Sequence, residues 1–335
     1  MSKKYFNQIL GNVNTNDSVD YYKSIDWNQI EDALDKATWE KLTSQFWLDT
    51  RIPVSNDRND WRTLSQVEQD VVNKAFVGLT LLDTLQSEEG ANVMRDDIRT
   101  QHEEAVLNNI LFMESVHAKS YSTIFISLNT SKEIDRIFEW GNNNQTIQYK
   151  AKRINDIYQN GTGLQKKVAS VFLESFLFYS GFYAPLWYLG NNKLENVAEI
   201  IKLIIRDESV HGSYLGYKFQ LGFNELPEDE ASELKDWMYE LLFDLMKNEE
   251  KFTDEVYSQI GWTKEVKTFV KYNANKALQN LGFEPFYQDA MAEHVNPIVM
   301  NGISTESSNH DFFSQVGNSY LMGESEAMDD EDYDF

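Results

Sequence analysis

The 335-residue sequence predicts an all-α protein built from long helices. Glycine and proline, which interrupt regular structure, number only 16 and 5. Apolar residues recur at the helical period, and the alternating pattern of strands is scarce. Hydrophobic residues make up 41% of the chain, enough to bury a sizeable core and to exclude a disordered or collagen-like chain.

Several helix starts are marked by a hydroxyl residue that precedes an acid by three positions, the capping-box pattern. Such pairs begin at Ser65, Thr100 and Thr130. They predict helices running to about residue 86 and about residue 128, and a shorter helix after residue 130. Other helices are expected over the ranges 27–46, 143–159, 164–190, 193–219, 228–248 and 264–281. We expect the helical domain to cover 26–303, after an N-terminal segment, 1–25, to which no role is assigned.

The charge balance narrows the possible partners. Lys and Arg total 30 and Asp and Glu total 54, a formal net charge of −24. Such a surface repels phosphate backbones and anionic lipid, so neither nucleic acid nor membrane is expected as a partner. Cysteine is absent, which excludes disulfides and cysteine-ligated metals and fits a cytoplasmic location. The N-terminus lacks a signal-peptide pattern.

The end of the chain, residues 304–335, changes character and is polar with isolated aromatics. Residues 324–335 hold seven acids and no base. A solvated, flexible tail is one interpretation of this composition. The other is that the acidic–aromatic end, with Tyr333 and Phe335, folds onto a partner.

Four acids lie inside apolar helical runs: Asp83, Glu114, Glu174 and Glu208. A buried, unpaired carboxylate is costly, so each must be neutral, paired or bound to a metal. Glu114 and Glu208 each precede a histidine, His117 or His211, by three positions, which places both side chains on one helix face.

The spacings of these acids indicate helical hairpins. Asp83 precedes Glu114 by 31 residues and Glu174 precedes Glu208 by 34. Four helices with inward carboxylates and two imidazoles predict a ferritin-like bundle that encloses a dimetal carboxylate site and carries additional flanking helices. Oxygen and nitrogen donors without sulfur suit dinuclear iron or dinuclear manganese. The alternative is buried pairing of each acid with Lys or Arg; Arg206 is available for one of them.

Tyr121 follows His117 by four residues and shares its helix face. A phenol beside an oxidising dimetal centre could lose an electron and a proton. A surrounding sleeve of apolar side chains, from which water is excluded, would shield the resulting radical. The same spacing rule places Phe178, Phe182 and Ile204 in that sleeve. On spacing alone, a core tyrosine with a satisfied hydroxyl is the more common case. Asp207, next to Glu208, is expected either to orient a ligand imidazole or to be solvent-exposed.

The sequence resembles one family in four segments: GLTLLDT (78–84), FMESVHAKSYS (112–122), FLESFLFYSGF (172–182) and IIRDESVHG (204–212). The family is the small, radical-generating subunit of class Ib ribonucleotide reductase. The resemblance extends from about residue 26 to the tail. It implies that one metal is bound by Asp83, Glu114 and His117, that the other is bound by Glu174, Glu208 and His211, and that glutamates bridge them.

The resemblance also implies roles in radical chemistry. Tyr121 stands where the family forms its stable tyrosyl radical. Trp47, together with His117 and Asp207, would begin the long-range transfer path, and Tyr320 would relay the radical across the subunit interface. The implied reaction is oxidation of Tyr121 at the dimetal centre with dioxygen or a more reduced oxygen species. The radical then passes reversibly to a large-subunit cysteine that activates a ribonucleoside diphosphate.

The partners implied by the resemblance are a second copy of the chain, in a homodimer, and the large catalytic subunit, which the 304–335 tail would contact. A flavodoxin-like activating protein would serve the manganese form. Two other hypotheses use the same residues differently. One is a non-radical dimetal protein such as a ferroxidase, iron store or oxygenase, and the other is a non-catalytic helical interaction protein whose acids are merely paired.

Overall fold

A computed structural model of the protein describes residues 24–304. Within them the secondary structure is helical and contains no β-strand. The α-helices of six residues or more are α1 (Ala33–Ser44), α2 (Arg58–Thr63), α3 (Gln66–Leu85), α4 (Gln101–Leu128), α5 (Ser131–Asn143), α6 (Gln145–Asn160), α7 (Gly163–Phe172), α8 (Tyr179–Gly190), α9 (Glu195–Phe223), α10 (Glu228–Tyr257), α11 (Thr263–Asn280) and α12 (Pro297–Ser304). The all-α prediction is confirmed.

Four helical segments form the centre of the fold, as the spacing of the buried acids predicts. Helix α3 packs against α4 and α8, and α9 packs against α4, α7 and α8. Around them, α11 packs against α8 and α10, α12 lies on α8, and α1 lies on α4. The flanking helices cover the outer faces of the central four, so side chains that point inward are removed from water.

The three predicted capping-box starts are found, with differences in detail, whereas the helix expected over 27–46 is shorter and covers Ala33–Ser44. Ser65 forms the full capping box: its N–H donates to Glu68 Oε2 (2.7 Å) and its hydroxyl accepts from the Glu68 N–H (3.3 Å). At Thr100 the hydroxyl accepts from the Glu103 N–H (2.8 Å), but the Glu103 carboxylate accepts from the Arg99 N–H instead (2.9 Å). Glu103 is drawn away because it also faces the buried ammonium of Lys218, 3.6 Å from its Oε2.

The single apolar helix expected over 164–190 is wrong in one respect. A π-helical turn, Leu173–Leu177, separates α7 from α8 and contains Glu174. A second π turn, Gln86–Gly90, follows α3 shortly after Asp83. Such turns are rare and occur mainly at functional sites, because the wider turn changes the direction in which side chains point. Both lie beside predicted metal ligands.

Close approach of α8 to α3 depends on a residue without a side chain. A Cβ atom on Gly181 would lie 2.6 Å from Leu79 Cγ and 2.7 Å from Leu79 Cδ1. Real Cβ atoms do not approach other carbons so closely, so glycine permits this helix contact. The contact sets the distance between the helix that carries Asp83 and the segment that carries Glu174.

None of the helices within residues 24–304 is long and apolar enough to cross a membrane. Most of the predicted N-terminal segment, 1–25, and nearly all of the predicted tail, 304–335, lie outside the described residues. Tyr320 is among the residues that lie outside.

Candidate metal centre

The six predicted ligands gather at one point between the four central helices. They form two overlapping groups whose donor atoms lie within 4.8 Å of one another. The first group is Asp83, Glu114, His117 and Glu208, and the second is Glu114, Glu174, Glu208 and His211. All six side chains are fully buried. Residues from four separate helical segments therefore present four carboxylates and two imidazoles to a shared space.

Glu114 and Glu208 belong to both groups, and each turns one oxygen toward each imidazole. Glu114 Oε1 lies 2.9 Å from His211 Nδ1, and its Oε2 lies 3.6 Å from His117 Nδ1. Glu208 shows the converse arrangement, with Oε1 2.9 Å from His117 Nδ1 and Oε2 3.6 Å from His211 Nδ1. Each of the two glutamates therefore faces both imidazoles, one oxygen to each.

The donor atoms at this point face one another, and carboxylate oxygens come as near as 2.9 Å to imidazole nitrogens. Both oxygens of Asp83, Glu114 and Glu208, Oε2 of Glu174, and Nδ1 of both histidines are buried without a hydrogen bond of ordinary geometry. Buried polar atoms almost always have a hydrogen-bond partner. A cluster of buried donor atoms without such partners is therefore suited to binding cations. Among the described residues, no lysine or arginine forms a salt bridge with these acids; Arg206 instead donates to the Gln45 carbonyl.

The protonation of the cluster follows from burial and crowding. Burial, together with the charge of Glu114, raises the pKa of Asp83 and of Glu174 well above the usual range. Burial alone lowers the pKa of His117 and His211, but close contacts with the surrounding carboxylates outweigh it and raise both. For Glu208, burial is outweighed by close contacts with Glu174 and both histidines, which lower its pKa. Without cations, the cluster therefore retains protons that cation binding would displace.

Tyr121 is fully buried on the same face of α4 as Glu114 and His117. Its hydroxyl has no hydrogen bond of ordinary geometry among the described residues. Burial and the nearby carboxylates of Asp83, Glu208 and Glu114 raise the pKa of the phenol well above its usual value. The phenol is thus held neutral and dry beside the metal-binding cluster.

A second set of predicted residues meets on the other side of His117. Trp47 Nε1 donates to Asp207 Oδ2 over 2.7 Å, and His117 Nε2 lies 3.1 Å from the same oxygen. Gln45 Nε2 donates to the other carboxylate oxygen, Oδ1, at 3.1 Å. Asp207 is buried, so the interpretation of it as a solvent-exposed acid is wrong. Its contact with His117 Nε2 is the kind that orients a metal-bound imidazole.

Comparison with known proteins identifies the family. Residues 24–297 match the family model described as "Ribonucleotide reductase, small chain". The chain belongs to that family. Its small chains generate, at a dimetal centre, the radical used for ribonucleotide reduction, so this small chain is an oxidoreductase subunit.

Similar proteins cover nearly the whole length of this small chain. Ribonucleoside-diphosphate reductase 2 subunit beta of Escherichia coli (strain K12) is 49% identical over 313 residues, which are 93% of this chain and 98% of the relative. The corresponding subunit beta of Bacillus subtilis (strain 168) is 41% identical over 324 residues, 94% of this chain and 97% of the relative. The X-ray crystal structure of dimanganese(II)-NrdF from Streptococcus sanguinis is 70% identical, with a TM-score of 0.83, and covers 84% of this chain and 100% of that chain.

The structure of this small chain also adds residues that the sequence analysis missed. The Phe76 ring lies 5.7 Å from the Tyr121 ring, centroid to centroid. Phe76 precedes Asp83 by seven residues, or two helical turns. This spacing places both on one helix face and could have identified Phe76 from the sequence. The predicted sleeve residues Phe178, Phe182 and Ile204 are all fully buried. On the Glu174 side the missed residue is Gln86, whose side chain donates to the Glu174 carboxylate.

Proposed function

We propose that Asp83, Glu114, His117, Glu174, Glu208 and His211 hold a dinuclear iron or manganese centre and that Tyr121 carries the stable radical. One observation supports this most directly. The two donor groups share Glu114 and Glu208, and their buried donor atoms lack hydrogen bonds of ordinary geometry. When bound and oxidised by dioxygen or a more reduced oxygen species, the metal pair would accept one electron from the Tyr121 phenol.

The protein's own part in that step is to place and deprotonate the phenol. Tyr121 is held neutral, because its pKa is raised by burial and by the carboxylates around it. Oxidation therefore requires the proton on Oη to leave with the electron. We assign its acceptance to the neighbouring Asp83, which would be ionised once cation binding has displaced its own proton. We propose that Phe76, whose ring lies beside Tyr121, and the buried Phe178, Phe182 and Ile204 exclude the water and reductants that would quench the radical.

Transfer of the radical out of the site is proposed to begin at His117, Asp207 and Trp47. The contacts of Asp207 support the assignment, because its Oδ2 atom lies 2.7 Å from Trp47 Nε1 and 3.1 Å from His117 Nε2. Asp207 can hold or pass a proton as charge moves on Trp47. Tyr320, outside the described residues, is proposed as the next relay toward the large subunit.

The choice of metal and the partners belong to the same proposal. Nitrogen and oxygen donors suit iron and manganese alike, and the dimanganese(II) state of the Streptococcus sanguinis relative supports manganese as one physiological form. We propose a homodimer, docking of the large subunit on the 304–335 tail, activation of the manganese form by a flavodoxin-like protein, and a cytoplasmic location.

The radical assignment is tested by Tyr121→Phe. The variant should bind the same amount of metal as the unmodified protein and lose the sharp tyrosyl electron paramagnetic resonance signal after oxidation. Tyr257→Phe is the matched control, because Tyr257 is also fully buried and donates its hydroxyl to a backbone carbonyl of α8. A tyrosyl signal that survives in Tyr121→Phe would refute the assignment.

The tail distinguishes this proposal from a non-radical dimetal protein. Deletion of residues 315–335 should leave metal binding and the tyrosyl signal intact and abolish ribonucleotide reduction with the large subunit. Unchanged reductase activity after the deletion would favour a ferroxidase, iron store or oxygenase. Absence of bound iron and manganese, even after reconstitution, would favour the third hypothesis, a protein whose acids are merely paired.

A further inference from the structure

Gln86 stands at the junction of α3 and its π turn, fully buried next to the Glu174 side of the cluster. Its amide nitrogen donates to Glu174 Oε1 and to the Ser170 hydroxyl, the latter over 2.8 Å. Its amide oxygen accepts from the Tyr158 hydroxyl at 2.6 Å. All three partners are buried, and the amide uses both its N–H donors and its acceptor.

The direction of this amide follows from the carboxylate it faces. A glutamate that binds a cation is ionised and has only acceptor oxygens. Gln86 can satisfy it only with the NH₂ end, which leaves the carbonyl end for the Tyr158 hydroxyl. Tyr158 fixes this orientation, because its phenol donates to the Gln86 oxygen and, with burial raising its pKa, stays protonated.

Glu174 differs in this respect from the other three acids. Of the eight carboxylate oxygens in the cluster, seven have no hydrogen bond of ordinary geometry: two each on Asp83, Glu114 and Glu208, and Oε2 on Glu174. The eighth, Glu174 Oε1, is the one that Gln86 holds. The free Oε2 lies 3.5 Å from His211 Nδ1, in the second donor group.

The backbone around Gln86 makes room for this arrangement. The π turn Gln86–Gly90 brings Gly90 directly over the Gln86 amide, and a Cβ atom at Gly90 would overlap the Gln86 Oε1 atom. Any larger residue at position 90 would displace the amide from Glu174. The wider turn and the glycine together therefore keep the amide in place.

We propose that Gln86 is a positioning residue for the second cation site: its amide binds one oxygen of Glu174 and thereby directs the other, Oε2, to the cation beside His211. This inference rests on the proposed metal-binding role of the cluster. The Asp83 and His117 side has no such contact from Gln86. Loss of the amide should therefore weaken one cation site selectively.

The test uses the full-length chain loaded with manganese(II) alone. Gln86→Met keeps the length of the side chain and removes its hydrogen bonds. Loss of the partner that orients a ligand typically weakens metal binding by about 10- to 100-fold. We expect that loss for the second manganese only, so that at limiting metal the resonance spectrum changes from a spin-coupled pair to an isolated manganese(II) ion. Tyr158→Phe, which frees only the carbonyl end of the amide, should shift the spectrum in the same direction by less.

The matched control is Gln66→Met, which removes a glutamine–aspartate hydrogen bond of 3.3 Å, to Asp70, at an exposed position. It should bind two manganese ions as the unmodified protein does. If Gln86→Met and Tyr158→Phe bind both manganese ions with unchanged affinity, the inference is overturned. It is also overturned if the affinity for both ions falls equally and the melting temperature is lower. If the unmodified protein itself fails to bind two ions, the proposed metal centre is wrong instead. If Gln86→Met does not fold, Tyr158→Phe decides.

Discussion

Trp47 Nε1 and Asp207 Oδ2 lie 2.7 Å apart in the buried interior, although 160 residues separate them in the sequence. The same oxygen is 3.1 Å from His117 Nε2, and the Trp47 and His117 rings lie 5.9 Å apart in a stacked arrangement. The indole is thereby connected to a predicted metal ligand through one carboxylate. Trp47 is therefore linked to His117 in two ways, through the Asp207 carboxylate and by direct ring stacking.

Replacement of Trp47 by Phe should separate radical formation from radical use. The variant keeps an aromatic ring but loses the indole N–H donor to Asp207, while Gln45 still donates to the other oxygen. We expect the Tyr121 signal to form and reductase activity with the large subunit to fall to background. The measurements are resonance spectroscopy and a nucleotide-reduction assay. Trp39→Phe, a half-buried tryptophan in α1, is the control, and normal activity in Trp47→Phe would contradict the proposed path.

Metal loading should depend on pH, because the cluster without cations holds protons. Burial raises the pKa of Asp83 and Glu174, so both tend to be protonated in the metal-free protein. Raising the pH removes these protons before the metal binds. Manganese(II) should therefore bind more tightly at about pH 8 than at about pH 6, and each binding event should release fewer protons at the higher pH. Metal titrations at the two pH values, with proton release followed by an indicator dye, measure both effects. Equal affinities would show that the acids are already ionised.

Two glycines of the central helices should respond oppositely to replacement by alanine. At Gly181 the new methyl group would overlap Leu79 of α3, and such overpacking destabilises by about 1–3 kcal/mol. At Gly78 it would make ordinary contacts, 3.6 Å from Ile147 Cδ1 and Phe252 Cζ, and helix propensity should stabilise by up to about 1 kcal/mol. Denaturant unfolding of the two variants gives both free energies. Two changes of the same sign would refute the close contact between α3 and α8.

Lys218, near the end of α9, pairs with two acids at the start of α1, the buried Asp35 and the half-buried Asp32. Its ammonium lies 2.6 Å from Asp35 Oδ1 and 2.7 Å from Asp32 Oδ2, with no exposed surface on its side chain. Lys218→Met would leave the buried Asp35 carboxyl without its cationic partner, which should cost about 3–5 kcal/mol of folding free energy.

The control for Lys218 is Lys267→Met, since Lys267 pairs with Asp254 at 2.8 Å on the surface. Its loss should cost about 1 kcal/mol or less, because water and salt screen exposed pairs. Thermal unfolding of both variants measures the difference. Equal losses in the two variants would show that the Lys218 pairs contribute no more than surface pairs.

Some features of the site were open to prediction and were missed. Phe76 shares the face of α3 that carries Asp83, so the spacing that placed Tyr121 could have placed Phe76 as well. Gln86 was harder to predict, because a polar residue near the end of a helix usually faces water. The π turns at Gln86–Gly90 and Leu173–Leu177 have no signal in the periodicity, because a single wide turn shifts the pattern by one residue only.

The amino-acid sequence alone determined the helical class and which acids and histidines share a helix face, because helix geometry is local and repeats every few residues. The tertiary structure alone decided that Glu114 and Glu208 each face both imidazoles and that Gln86 holds one oxygen of Glu174. These relationships join separate helices, and their distances depend on how those helices pack, down to the missing side chain of Gly181. Spacing along one helix contains no information about the position of another.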